Sequence, residues 1–262
     1  MSGRVEGMVN SGFKIQEQES FSNDRSKEQQ PLVSVIIPVL NRAKQFEAAL
    51  LSVLSQREGI ADVIVIDGGS TDGTVDIIQK YSDRLAYWVS EPDRGIYDAM
   101  NKGIRHARGK YVLFLGSDDT VIARLHELEG VLCDPSTIYY GNIRTLSGRG
   151  WDGPFNSWRL AVATMHHQSM FYPIIAFEKG GFSTKYRICG DWEFNLRCFG
   201  NKRLRFEYIP HEIAFYSTDG LSSHIEDAVF REDRLSLIRQ NLPFHAFIYA
   251  SVRSFIGRFV QR

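Results

Sequence analysis

The stretch Tyr111-Val112-Leu113-Phe114-Leu115-Gly116-Ser117-Asp118-Asp119 decides how the chain is read. Its five apolar or aromatic residues are too short a run for helical periodicity and predict a strand buried on both faces. The run stops at a Gly-Ser step followed by two adjacent carboxylates. Ligands of open α/β sheets bind just beyond the carboxyl ends of strands. Two acids placed there repel each other unless a cation sits close by. A hard divalent ion such as Mg²⁺ or Mn²⁺ takes oxygen ligands and is commonly shared between carboxylates and substrate phosphates. The plain alternative is that Asp118 caps the next helix and Asp119 is solvated.

Upstream, strands and helices alternate with short joints, the pattern of a parallel sheet covered by helices. Strands are expected at Leu32–Pro38, closed by Pro38, at Val63–Asp67 and at Leu85–Val89. A helix from about Ala43 carries Phe46, Leu50, Val53 and Leu54 on one face, and Asp72 is placed to cap a second that buries Val75, Ile78 and Tyr81. A third carries Ile96, Met100, Ile104 and Ala107 and ends at Gly109. Each strand ends in polar residues: Pro38-Val39-Leu40-Asn41, Asp67-Gly68-Gly69-Ser70, Asp93-Arg94-Gly95 with Asp98 and Asn101, then Asp118-Asp119. In a parallel sheet these ends share one rim, where glycines admit a ligand to the backbone and carboxylates accept from base N–H or ribose hydroxyls.

Downstream the texture loosens. A helix over about Ile122–Leu132, strands at Thr137–Ile143 and His167–Tyr172, and a loop over residues 145 to 164 are expected. Ile188, Trp192, Leu196 and Phe199 mark a helix face, and Phe206–Ile209 and Ile213–Tyr216 read as two short strands.

Composition sets the bounds. The 262 residues carry 31 basic and 31 acidic side chains, so bulk charge gives no reason to expect nucleic acid as a partner. Cys133, Cys189 and Cys198 form neither a disulfide framework nor a metal spacing and suit a reducing cytosol. No apolar run can span a bilayer, and the N-terminus lacks a signal peptide's order, so a cytoplasmic site is expected. Residues 1–30 read as a flexible tail, residues 31–240 as the folded domain and residues 241–262 as a C-terminal amphipathic helix. Its apolar arc is Phe244, Phe247, Ile248, Val252, Phe255, Ile256 and Phe259, with Arg253 opposite and Arg258 and Arg262 near the arc. Such a helix could lie on an anionic membrane, as a peripheral contact on the cytoplasmic face of the inner membrane, or could pack on the domain or on a second copy.

The runs Val33–Asn41, Val65–Thr74 and Tyr111–Asp119, in this order and spacing, resemble the family 2 glycosyltransferases. The longer run Ser90–Gly103 resembles a bacterial subgroup that builds exopolysaccharides of the colanic-acid type. The resemblance implies a GT-A α/β fold with a mainly parallel central sheet flanked by helices. It also implies metal-dependent, inverting transfer of a hexosyl-type sugar from a UDP- or GDP-sugar to a glycan or lipid-linked acceptor. Pro38, Val39, Asn41 and Asp67 would hold base and ribose, with Asp67 on the base. Gly69, Asp93, Arg94, Asp98, Asn101, Ser117 and Asp118 would line the same cleft, and Asp118 and Asp119 would hold Mg²⁺ or Mn²⁺. Asp191 matches the family's catalytic base, with Glu193 second in line, while His167, Gln168 and Trp192 fall on the acceptor side. The second acid usual after Asp67 is Gly68 here, and the first acid usual in the metal motif is Gly116, which leaves open whether Asp118 or Asp119 is the direct ligand. Two other classes compete. A sugar-phosphate nucleotidyltransferase would need a Gly-rich basic loop after the first strand, which Pro38-Val39-Leu40-Asn41 is not. A non-catalytic nucleotide-sugar binding module would need no acid at 191.

Overall fold

The computed structural model describes residues 30–151, 153–217 and 226–260. The tail expected over residues 1–30 lies outside them apart from Gln30, as do Arg262 and the side chains of Arg258 and Phe259.

Strand β1 (Val33–Val39) is buried along its whole length. Its odd-numbered residues from Val33 to Val39 pack with Phe46 and Leu50 of α1 (Ala43–Leu54) and Ile78 of α2 (Thr74–Lys80). Ile36 instead faces Met100 of α3 (Ile96–Ile104) on the other side of the sheet. Successive side chains of a strand point to opposite faces, so a strand covered by helices on both must be apolar throughout. Helix α3 comes so close that a Cβ at Gly103 would stand 2.5 Å from Ile36 Cγ2. Around β1, strands β2 (Ala61–Asp67), β3 (Tyr87–Ser90) and β4 (Tyr111–Phe114) form a parallel sheet in the order β3-β2-β1-β4.

The first half therefore matches the expected elements with two corrections: α3 ends at Ile104 and so leaves out Ala107, well short of Gly109, and Pro38 does not close β1, which continues to Val39. Pairing with β4 stops at Ile36–Phe114, so Pro38 lies beyond the stretch where that neighbour could use its missing N–H.

The second half adds antiparallel and mixed strands. Strand β8 (Met170–Pro173) pairs antiparallel with β4 and with β6 (Thr137–Thr145), and β6 runs parallel to β9 (Arg205–Phe215). Four expectations are corrected here. The helix expected over Ile122–Leu132 is instead a single 3-10 turn at Leu125–Leu128, which follows the two-residue strand β5 (Thr120–Val121) paired with β9. The two short strands over 206–216 are the one strand β9, bent by register shifts against β6. The loop over residues 145 to 164 contains β7 (Gly148–Trp151) and α4 (Ser157–Leu160). His167–Ser169 is a 3-10 turn that precedes β8 rather than part of the strand.

Helix α5 (Gly190–Gly200) buries Phe194, Leu196 and Cys198, so Ile188 lies outside the helix it was expected to mark. Helices α6 (Ala228–Asn241) and α7 (Phe244–Val260) follow. Ala246 and Ala250 are buried in the core on the α3 and α5 face of the sheet, and α7 contacts α4 and α6.

Candidate active site

The loops after β1, β2 and β3 are tied mainly to one another. Asn41 takes a left-handed backbone at φ 52°; its amide N–H donates to Ser70 Oγ at 2.7 Å, and its side-chain carbonyl accepts from Thr71 N at 2.8 Å. Asp72 accepts from Ala43 N at 3.0 Å and from Thr74 N at 3.1 Å, so one carboxylate binds free N–H groups at the starts of both α1 and α2. Val39 is buried, and its carbonyl accepts from Gly68 N at 2.9 Å.

Asp67 is fully buried. Its Oδ2 accepts from Gly69 N at 3.1 Å, Ser70 N at 2.9 Å and Ser90 Oγ at 2.5 Å, and its Oδ1 accepts from Ser70 Oγ. This carboxylate, expected on the nucleotide base, is occupied in shaping its own loop, where Gly69 adopts φ 87°. Gly68, where the family usually has an acid, faces Asp93: a Cβ there would be 3.2 Å from Asp93 Oδ2.

Asp93 pairs with Lys102 at 2.6 Å, and burial raises its pKa. Asp98 accepts from the Arg94 backbone at 3.1 Å, a bond that, with the Arg94 guanidinium, holds its carboxyl below the usual range. The Arg94 side chain is exposed. Asn101 exchanges two 2.8 Å hydrogen bonds with the Phe182 backbone and so staples α3 to the segment before α5.

The loop after β4 is built differently. Asp119 is 2% exposed, with Oδ1 accepting from Ser217 N at 2.8 Å and Oδ2 from Gln168 Nε2 at 2.9 Å. Burial pushes its pKa up to about 6 despite both donors. Asp118 and Ser117 are partly exposed beside it. A Cβ on Gly116 would collide with Asp119 Oδ2 and come within 3.2 Å of Asp118 Oδ1, so both carboxylates turn toward the bare Cα of that glycine. An acid at 116 would displace Asp119, which accounts physically for that departure from the family pattern. No group of three or more His, Cys, Asp or Glu side chains able to hold an ion occurs among the described residues. Two converging carboxylates still fit a Mg²⁺-like ion, which usually takes one or two carboxylates and completes its shell with water and substrate phosphate.

Asp191 opens α5 and is 8% exposed. Its Oδ1 accepts from Trp192 N at 2.7 Å and lies 3.2 Å from Tyr97 Oη, whose hydroxyl donates to Ile188 O at 2.5 Å, and its Oδ2 lies 3.3 Å from His167 Nδ1. Gly190 makes this approach feasible, since a Cβ there would meet the Tyr97 ring at 2.7 Å. Adjacent residues thus hold the two acids: His167 reaches Asp191 and Gln168 reaches Asp119. Glu193 points elsewhere, paired with Arg197 at 2.6 Å. Trp192 is packed against Phe230, with its indole N–H donating to Leu160 O at 2.8 Å.

The structure therefore brings Asp118, Asp119, His167, Gln168 and Asp191 into one linked group, with Trp192 and Glu193 outside it. Tyr97 and Ser217 joined this group without being singled out in the sequence. Tyr97 lies inside the Ser90–Gly103 motif, and for Ser217 no sequence signal exists.

A mixed sheet with acids along the carboxyl ends of its parallel strands is the GT-A architecture of nucleotide-sugar transferases. The glycosyl transferase family 2 model matches residues 34–211, and the chain belongs to that family. A PGL/p-HBAD biosynthesis glycosyltransferase of Mycobacterium bovis is 37% identical over 213 residues, covering 76% of this chain and 82% of that protein. Among solved structures, S. aureus TarS 1-349 in complex with UDP superposes with a TM-score of 0.62 at 21% identity, over 79% of this chain and 64% of that one. The mannosyltransferase PcManGT of Pyrobaculum calidifontis, solved with GDP-Man and Mn²⁺, gives 0.57 at 22% identity, over 81% and 63%.

Proposed function

We propose that the protein transfers a sugar, with inversion, from a UDP- or GDP-sugar to a hydroxyl of a glycan or lipid-linked acceptor in bacterial surface polysaccharide synthesis. The reaction is placed in the cytoplasm, and a lipid-linked acceptor would bring the protein to the inner membrane. One observation carries this reading: the adjacent residues His167 and Gln168 tether two buried acids, Asp191 and Asp119, that lie far apart in sequence.

Asp191 is placed to take the proton of the attacking acceptor hydroxyl. The Trp192 backbone N–H and His167 Nδ1 fix the rotation of its carboxylate, so the accepting lone pair is aimed before the acceptor arrives. Asp118 and Asp119 would hold Mg²⁺ or Mn²⁺, which when bound neutralises charge on the departing nucleotide diphosphate. Gln168 and the Ser217 backbone orient Asp119 for that duty. The loops carrying Asn41, Gly69, Asp93 and Arg94, with Asp98 and Asn101 of α3, form the wall for base and ribose. Asp67 supports that wall from within. The glycosyltransferase PcManGT solved with Mn²⁺ supports the metal, and TarS solved with UDP supports the donor class.

Mass spectrometry of products from a panel of UDP- and GDP-sugars with glycan and lipid-linked acceptors tests this reading. One donor–acceptor pair should give a product heavier by one sugar residue. Formation of a sugar nucleotide from a sugar phosphate, or no transfer from a donor that stabilises the protein in a thermal-shift assay, would overturn it. A donor nucleotide present at a hundred times its dissociation constant should add about 2.7 kcal/mol.

A further inference from the structure

Helix α7 has two unlike faces. Ala246 and Ala250 are buried, and Phe247 packs against the core. Turned away from them, Phe244, Ile248, Val252 and Ile256 recur at intervals of four and are 70, 44, 52 and 54% exposed. Four such residues make an apolar strip about 18 Å long, at 1.5 Å of rise per residue. Scattered apolar side chains on a surface need no explanation, but a contiguous strip does.

The one charged side chain described on α7 is a cation, Arg253. From Arg234 to Arg262 the sequence contains five arginines and no Asp or Glu. Arg253, on α7, is exposed, and its guanidinium donates to Tyr249 Oη at 3.3 Å. At the flank, Trp158 of α4 is 44% exposed and packs its ring on His245 and Tyr249. No described helix is long and apolar enough to cross a membrane.

We infer that α7 docks the protein in the plane of an anionic lipid bilayer, with Phe244, Ile248, Val252 and Ile256 among the acyl chains and Arg253 at the headgroups. This deepens the reading of a lipid-linked acceptor and rests on it only for biological purpose. A helix with an apolar face, a basic flank and no acids binds such an interface through buried area and attraction to anionic headgroups. Trp158 suits the boundary, since aromatic rings with a polar edge collect where hydrocarbon meets water. A second copy of the chain fits less well. A two-fold contact sets the same patch against itself, and α7 offers no carboxylate to receive its partner's Arg253.

The test is co-sedimentation with vesicles of phosphatidylcholine, alone or mixed with phosphatidylglycerol, without sugar donor or acceptor. Failure of the transferase reading therefore leaves the result standing, and the reverse holds equally. The protein should bind the mixed vesicles, bind pure phosphatidylcholine more weakly, and lose binding as salt rises. The triple variant Ile248→Ser, Val252→Ser, Ile256→Ser should bind at least about tenfold more weakly, with transfer to a soluble acceptor unchanged. Arg253→Gln should weaken binding to mixed vesicles only. Should the triple variant fail to fold, Val252→Trp reads the same face: brominated lipid should quench its added fluorescence. Unaltered vesicle binding by the triple variant, absence of quenching, or a solution dimer that the triple variant dissociates would each overturn the inference.

Discussion

The loops after β2 and β4 each place a buried aspartate at the end of a buried parallel strand, yet the two aspartates are held in opposite ways. Asp67 accepts four hydrogen bonds from Gly69, Ser70 and Ser90, all within 23 residues of it. Asp119 accepts two, from residues 49 and 98 positions away. Local donors surrounding a carboxylate build a loop and consume its charge. Two distant donors orient a carboxylate while its charge stays costly to bury, which is why its pKa rises to about 6. The contrast separates an acid that shapes the rim from one whose charge is left uncompensated on burial, the one proposed to hold a cation. Asp191 combines the two, with Oδ1 accepting from the adjacent Trp192 N and Oδ2 3.3 Å from the distant His167 Nδ1.

The strongest test of that grouping is Asp191→Asn, which keeps shape but cannot take a proton. Turnover should fall by roughly 10²–10⁴ with donor binding nearly unchanged. A rate within a few-fold of wild type would remove Asp191 from the working set. Next, Asp118→Asn or Asp119→Asn should cost about 10²–10³ in turnover, the scale of losing one well-placed electrostatic partner. Chelation by EDTA should do the same, reversibly, and full activity in excess EDTA would end the divalent-ion role.

The comparison sharpens further through pH. In metal-free protein Asp119 holds its proton to about pH 6, whereas the unfolded chain releases it near 3.8. Between those values the folded state binds more protons, so stability is full below about pH 4 and is lost as pH rises through 6. Two pH units at about 1.36 kcal/mol each bound the effect at about 3 kcal/mol. With EDTA present, the stability of Asp119→Asn relative to wild type should therefore rise across that window, as measured by urea titration. A difference that stays flat with pH would mean the carboxylate is not strained by burial. Asp67→Asn should behave otherwise. It loses acceptors for buried donors and should cost about 1–3 kcal/mol of stability, with turnover per folded molecule falling far less than for Asp119→Asn. A stable Asp67→Asn that no longer binds nucleotide would instead put Asp67 on the base and break the comparison.

The same contrast explains how much the sequence could tell. Through Asp119, elements follow local rules: buried strands are apolar throughout, helices carry apolar faces, and Asp72 caps by short-range geometry. Strands β1 and β2 fall within about two residues of their expected bounds, and helices α1 and α3 start where expected, though α3 ends at Ile104 rather than near Gly109. After Asp119, structure depends on remote partners. Thr120–Val121 becomes a strand only because β9 lies beside it, and no local pattern over 122–132 records that pairing. Asp118, Asp119 and Asp191 were legible as acids at element ends. Their tethers were not, because a bond from the Ser217 backbone leaves no mark on residue type. Trp192 and Asn101 show the converse: residues within motif-like runs whose polar atoms are used in packing elements together.

The smallest expected effect tests whether the tether to Asp191 matters. His167 Nδ1 stands 3.3 Å from Asp191 Oδ2, a long hydrogen bond in the free protein that an arriving acceptor could tighten. Under the proposed mechanism His167 would act as a positioning residue that sets the rotation of the carboxylate and leaves the proton transfer to Asp191. His167→Ala frees that rotation, and turnover should fall about tenfold, equivalent to about 1.4 kcal/mol, with KM for the donor unchanged. Gln168 would still hold Asp119, so metal affinity should not move. A purely structural role predicts a lower melting temperature and an unchanged rate for the molecules that remain folded. His167→Gln discriminates between the two, since its amide can restore an N–H donor within reach of Asp191 without restoring the ring. Recovery of turnover by glutamine and not by alanine identifies the hydrogen bond as the working feature; equal loss in both variants assigns the effect to the ring's packing and frees Asp191 from dependence on His167.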